Sequence, residues 1–385
     1  MSARPNTSPV YLDYHATTPV DPRVLTAMLP WFTEKFGNPG SVTHAYGREA
    51  SAAVERAREQ VASLIGADPR EIVFTSGATE ANNLAIKGAA RFHRGERDRI
   101  VTLATEHKCV LESIRALEHE GFRTTVLPVE VSGLVDLRAL EAALDERTAI
   151  LSVMAAHNEI GVLQPLAEIG ALARERGILF HSDAAQAVGK VPLDVEALGV
   201  DLLSISGHKV YGPKGIGALY VRRRPRARIT PLFDGGGQER GLRSGTLATP
   251  LCVGLGEAAA LAEQEMAAEA ERIGGLRDRL ATGLRRTMPG IKVNGDSQLR
   301  LPGNLNVTFP GIGALDLMEA CPGLALSTGS ACTAAEVEPS YVLRAIGVSD
   351  ADARSSLRIG LGRFTTEKDV EFAVDSLGSA VRRLI

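Results

Sequence analysis

A chain of 385 residues, 44% of them hydrophobic, is long enough for two domains and a sizeable core. Its 43 Lys and Arg against 46 Asp and Glu leave a formal net charge of −3, so neither nucleic acid nor a membrane surface is expected as the main partner. The four cysteines, Cys109, Cys252, Cys321 and Cys332, are too few and too widely spaced for a disulfide framework, and the eight histidines show no metal-ligand spacing, so no metal is expected.

The first residues, Met1 to Pro9, lack the apolar core of a signal peptide, and no apolar run is long enough to span a bilayer; a cytoplasmic protein is expected. From about residue 48 to 222, helical patterns alternate with short apolar runs. Val54, Ala57, Val61, Leu64 and Ile65 recur at helical spacing, and Ile72-Val-Phe-Thr then reads as a strand. The following Thr75-Ser-Gly-Ala78-Thr79-Glu opens a helix, where backbone N–H groups and the Thr79 hydroxyl can hold a phosphate at the positive end of the helix dipole. A plain helix cap looks the same in sequence.

Further strands are expected at Ile100 to Ala104, Thr124 to Pro128, Ile150 to Met154, Ile178 to His181 and Leu202 to Ile205, with helices at Leu137 to Leu144 and Leu166 to Arg176. Such alternation predicts an α/β fold with a mostly parallel sheet covered on both faces, and ligands bound beyond the carboxyl ends of the strands. His107, just past the second strand, can stack on a ring and move protons near neutral pH, or simply fill the sheet edge. Asn158 and Gln186 also follow strands, and their amides can hydrogen-bond a phenolic oxygen or a carboxylate, although ordinary turn residues look alike.

Two strand ends carry Asp183 and the segment Ser206-Gly-His208-Lys209. A lysine amine that captures an aldehyde, and a carboxylate that keeps a pyridine nitrogen protonated, are what pyridoxal 5'-phosphate (PLP) requires of a protein. Ser206 and His208 beside that amine offer further phosphate donors. A buried Lys–Asp ion pair is the plainer reading of the same two residues.

After the next strand comes a basic run, Arg222 to Arg228, with five arginines in seven residues; it can dock an acidic partner protein or form a solvated loop. From about residue 250 an Ala/Glu/Arg-rich helix runs to Arg286, followed by Pro- and Gly-punctuated strands near Leu305 to Phe309 and Leu357 to Gly360. This texture predicts a smaller α+β domain of residues 261–385 joined by residues 1–14, beside a large domain of residues 15–260. Within it, Ser327-Thr-Gly-Ser-Ala-Cys332-Thr-Ala-Ala is a run of small residues suited to a loop, from which a thiolate can reach a cleft as nucleophile. Arg358 offers a planar guanidinium for bidentate capture of a carboxylate.

In combination these residues resemble the group I cysteine desulfurases, within the PLP fold-type I, class V aminotransferase-like enzymes. The matching landmarks are Tyr11-Leu-Asp-Tyr-His-Ala-Thr-Thr-Pro19, Thr75-Ser-Gly-Ala-Thr-Glu80, Glu106-His-Lys108, Asn158-Glu-Ile-Gly161, Ser206-Gly-His-Lys209, Arg240-Gly-Leu-Arg-Ser-Gly-Thr246, Ser330-Ala-Cys-Thr333 and Glu338-Pro-Ser-Tyr-Val-Leu-Arg344. The resemblance implies a mixed, mostly parallel sheet in the large domain and conversion of L-cysteine to L-alanine. It further implies that Lys209 carries PLP, Asp183 pairs with the ring nitrogen, His107 stacks on the ring and serves proton transfer, and Gln186 binds the ring hydroxyl. Phosphate is then held by Ala78, Thr79, Ser206 and His208, and by Thr246 from a second subunit, which makes a homodimer. Asn158 and Arg358 hold the substrate carboxylate, and Cys332 takes the sulfur as a persulfide.

Two departures from the family pattern stand out. His157 precedes Asn158 where many relatives have asparagine, and the chain stops at Ile385, whereas relatives that serve the general iron-sulfur scaffold carry a longer tail. The expected sulfur destinations are therefore iron-sulfur cluster assembly, tRNA thiolation or DNA phosphorothioation. The competing readings are a selenocysteine lyase, a class V aminotransferase with no use for Cys332, and a non-catalytic adaptor subunit of a sulfur-transfer complex.

Overall fold

The computed structural model describes residues 8–328 and 338–385. In chain order its strands are β1 (Val10–Tyr11), β2 (Ile72–Thr75), β3 (Arg99–Leu103), β4 (Arg123–Leu127), β5 (Thr148–Ser152), β6 (Leu179–Asp183), β7 (Leu202–Ser206), β8 (Gly217–Val221), β9 (Lys292–Val293), β10 (Asn304–Thr308), β11 (Leu324–Ala325) and β12 (Ser356–Gly360). Seven of them form one sheet in the order β2-β8-β7-β6-β5-β3-β4. β4, β3, β5, β6 and β7 pair in parallel, while β8 runs antiparallel to both β7 and β2. The sheet is thus mixed through β8 alone, and β2 points the same way as β7.

Helices lie on both faces of the sheet, so the inner strands β5, β7 and β8 are buried at every position, as is the edge strand β2. At the opposite edge, β4 alternates exposed and half-buried residues, as a strand with one open side should. The carboxyl ends of β2, β3, β5, β6 and β7 therefore gather on one side. From there the chain leaves through Ser76, Ala104, Val153, Ala184 and Gly207.

A second, smaller sheet, β12-β10-β9, packs with Leu12, Ile273, Leu276, Leu280, Leu284 and the helix Glu367–Leu384 into a separate hydrophobic core. The helix Thr249–Thr287 serves both cores: Cys252, Leu255, Ala258 and Ala262 face the large one, and Ile273 onward the small one. The change near residue 260 is thus a change of packing partner along one continuous helix. β1 pairs with β11 and draws the N-terminal strip onto the smaller core.

The basic run departs from its reading as one exposed surface. Arg222 is buried, its guanidinium donating to the carbonyls of Val195 and Val200 and pairing with Glu196 at 2.7 Å. It closes off the end of β8, because those carbonyls need donors and the sheet ends there. Arg223, Arg224, Arg226 and Arg228 remain exposed.

Candidate active site

The carboxyl ends of β2, β3, β5, β6 and β7 surround a cleft of about 450 Å³. On one wall the helix Ala78–Phe92 begins without a side-chain cap. Gly77 before it sits at φ 148°, a conformation side chains rarely adopt, and a Cβ there would meet nothing within 4 Å. The first N–H groups at Ala78 and Thr79 thus open onto the cleft at the positive end of the helix. Glu80 also lines the cleft, but its carboxylate is taken up, accepting from Ser76 N at 2.8 Å and pairing with Arg243 at 2.7 Å.

Asp183, at the end of β6, lines the cleft with both carboxylate oxygens engaged. One accepts from Ala185 N at 3.0 Å, the other from the Asn82 amide at 2.7 Å. His107 caps the helix Lys108–Glu118: its Nδ1 accepts from Cys109 N at 3.2 Å and lies 3.0 Å from Cys109 Sγ. Burial lowers the His107 pKa, with Asp183 opposing and Lys209 and Lys108 adding to the drop, so a neutral imidazole faces the cleft at neutral pH. Burial together with Asp183 pushes the Cys109 thiol up to about 12, which leaves it an uncharged neighbour.

Lys209 follows β7 in the short turn Gly207–Lys209, and its Nζ donates to the carbonyls of His15 at 2.6 Å and Ala16 at 2.7 Å. Those carbonyls, 194 and 193 residues away in sequence, hold the amine at the cleft. Beside it, burial with Lys209, Lys214 and Lys190 nearby lowers His208 to about 4, so its ring is neutral and shares a hydrogen bond with Thr17 Oγ1 at 3.1 Å.

Ala78, Thr79, His107, Asn158, Asp183, Gln186, Ser206, His208 and Lys209 therefore line one cleft. Arg358 and Thr246 do not. Arg358 is buried behind Asn158, donating to Asp13 at 2.8 Å, Asn158 O at 3.2 Å and Ser327 Oγ at 3.3 Å, because the strand that carries it lies in the smaller sheet. Thr246 is exposed, in the loop that Glu239 anchors through Arg58 at 2.8 Å. Cys332 lies outside the described residues.

Sequence reading passed over four residues of this site: Asn82, His15, Lys190 and Glu106. Asn82 stands one turn beyond Thr79 on the same helix, a spacing that could have directed attention to it. Glu106 is fully buried; Oε1 accepts from Met154 N at 2.7 Å, and Oε2 has no partner among the described residues. Burial, with Asp183 adding, raises its pKa well above the usual range, so it is a neutral acid. No group of His, Cys, Asp and Glu suited to a metal ion occurs among the described residues.

His157, the departure noted above, caps its own turn. Its Nδ1 accepts from Glu159 N at 3.0 Å and its Nε2 donates to Thr105 O at 2.8 Å, which specifies the Nε2–H tautomer. Burial lowers it to about 4. The unfolded chain then binds more protons than the native one between pH 4 and about 6.5, so His157 costs stability as pH falls through that window. His157→Asn removes this cost. The urea midpoint of the wild type is expected to drop relative to the variant between pH 6.5 and 4.5, and a constant difference across that range would contradict the assignment.

The family model for class-V aminotransferases matches residues 10–372. A cysteine desulfurase of Mus musculus is 58% identical over 376 residues, covering 98% of this chain and 82% of the relative. Among solved structures, a NifS-like protein superposes with a TM-score of 0.91 at 38% identity, covering 98% of this chain and 100% of the other. SspA in complex with cysteine does so with a TM-score of 0.81 at 41% identity, covering 92% and 99%.

Proposed function

The chain belongs to the class-V aminotransferase family and, within it, to the cysteine desulfurases, and from that premise we propose that its cleft converts L-cysteine to L-alanine on PLP and passes the sulfur to Cys332. The observation that carries this reading is the convergence of the Lys209 amine, the Asp183 carboxylate, the neutral His107 ring and an uncapped helix N-terminus on one cleft of about 450 Å³. That volume lies in the range of small-ligand sites. The donor set also suits the group: N–H donors for a phosphate, a carboxylate for a ring nitrogen, a flat ring to stack, and an amine.

When bound, PLP supplies an aldehyde that captures amines and a ring that accepts electrons. Ala78, Thr79, Ser206 and His208 hold the phosphate, and Thr246 joins them from a second copy, which its exposed position in its own chain favours. Asp183 keeps a proton on the ring nitrogen, and Asn82 holds the carboxylate in place. His107 would stack on the ring, and Gln186 would hydrogen-bond the ring oxygen, both from positions that line the cleft. Asn158 takes the substrate carboxylate at the cleft, and Arg358 supports it from behind through the Asn158 carbonyl.

The Lys209 amine removes the proton from the substrate Cα. Cys332 thiolate then forms an S–S bond to the substrate sulfur while the C–S bond breaks. Protons returned by His107 and Lys209 complete alanine, so one cysteine and one thiol give one alanine and one persulfide. The exposed Arg223, Arg224, Arg226 and Arg228 suit an acidic acceptor protein, and the expected compartment is the cytoplasm.

Incubation of the PLP-loaded protein with sulfur-labelled L-cysteine tests this reading. Equimolar alanine and protein-bound label are expected, and Cys332→Ala should abolish the bound label. Label retained by that variant would reject Cys332 as the acceptor, and transamination of a 2-oxo acid by it would favour an aminotransferase.

A further inference from the structure

Gln186 sits in the cleft wall with both ends of its amide assigned by what surrounds them. Its Oε1 accepts from Lys190 Nζ at 2.8 Å and lies 3.2 Å from His15 Nδ1, and its Nε2 donates to the His15 carbonyl at 2.9 Å, the same carbonyl that accepts from Lys209 at 2.6 Å. A lysine can only donate when charged and still donates when neutral, whereas a backbone carbonyl can only accept. The amide therefore cannot turn over without setting oxygen against oxygen and losing the lysine. One Nε2 hydrogen remains for the cleft.

We propose that Lys190 is a positioning residue that fixes the polarity of Gln186, so that the cleft presents a hydrogen-bond donor and recognises an anionic oxygen on the ring of its ligand. The inference rests on the reading of the cleft as the PLP site. It concerns a lysine that sequence reading left without a role and that stands four residues beyond Gln186 in the turn that follows β6.

The surroundings of Lys190 fit this task. Lys190 borders a second cavity of about 30 Å³, which His15, Tyr211 and Glu269 also line. The Glu269 carboxylate is taken by Arg363 at 2.7 Å, and the Lys190 amine donates to the Gln186 oxygen. His15 is itself buried, and burial with Lys190 and Arg358 nearby lowers its pKa well below the usual value, so no imidazolium competes there. Lys209 and Arg358 also face Lys190, and with burial they bring its ammonium down to about 7. Charged or neutral, the amine can donate to the Gln186 oxygen, so the amide keeps its orientation on either side of that value.

The test is a pH titration of the visible absorbance of the PLP-loaded protein without substrate. Lys190→Met removes the donor at similar length and is expected to raise the midpoint of the spectral transition by about one pH unit, while Lys190→Arg, which still donates, leaves it near the wild-type value. An unmoved midpoint in Lys190→Met overturns the inference. Should that variant fail to fold, Lys190→Leu, which also lacks a donor, answers the same question: a raised midpoint supports the inference, and an unchanged one overturns it. A wild-type protein that gains no visible band with PLP overturns the cofactor reading and this inference with it, whereas a normal wild-type band with an unmoved variant overturns the inference alone.

Discussion

Lys209→Ala is expected to lower alanine production from L-cysteine by at least about 10⁴-fold, because it removes a general base, itself worth about 10²–10⁴, together with the amine that holds the cofactor covalently. The position leaves little room for substitution by a neighbour. Lys209 Nζ is held at the cleft by two backbone carbonyls at 2.6 and 2.7 Å, contributed by a strip of chain almost two hundred positions earlier. Lys190 is occupied by Gln186, and Lys214 lines the cleft from the segment after Lys209. The variant should still retain PLP through the phosphate donors, with a visible spectrum like that of the free aldehyde. Alanine formation within about tenfold of wild type would assign the base to another amine, Lys214 being the first to examine.

Asp183→Ala is expected to cost about 10³-fold in kcat at saturating PLP, in line with the loss of one charged group aimed at a reacting centre. The carboxylate is buried, and its two oxygens are held by the Asn82 amide at 2.7 Å and the Ala185 N–H at 3.0 Å. Asp183→Asn separates charge from shape. It keeps the size of the side chain but cannot hold a proton on a ring nitrogen by charge, so it should be nearly as slow as alanine, and Asp183→Glu should recover part of the loss. Stability needs measuring alongside, since Asn82 loses its acceptor in both neutral variants. Activity of Asp183→Asn within about tenfold of wild type would remove the carboxylate from the chemistry.

Much of this arrangement was legible in the chain. The apolar runs that became β2, β3, β5, β6 and β7 each end at a short polar segment, and in a parallel sheet such ends gather on one side. Thr79, His107, Asn158, Asp183 and Lys209 could thus be assigned to a common cleft from their positions after strands. The run at Arg222 misled for a related reason. An arginine that opens an exposed-looking cluster gives no local sign that it turns inward to the carbonyls of Val195 and Val200. Arg358 was identified as a carboxylate binder by residue type, yet its guanidinium is committed to Asp13, 345 positions away.

What the order of residues determined by itself was the alternation of helix and strand, the small residues that open the turns, and the identity of the reactive groups, since each depends on neighbours only a few positions apart. Tertiary structure decided the partners and the charge states. Lys209 on the carbonyls of the N-terminal strip, Asn82 on Asp183, Lys190 on Gln186 and the neutral forms of Glu106 and His157 all arise from segments that meet only when the sheet closes. Burial there removes the water that would otherwise set each group's protonation and satisfy its hydrogen bonds, so the surviving partners are those the fold supplies.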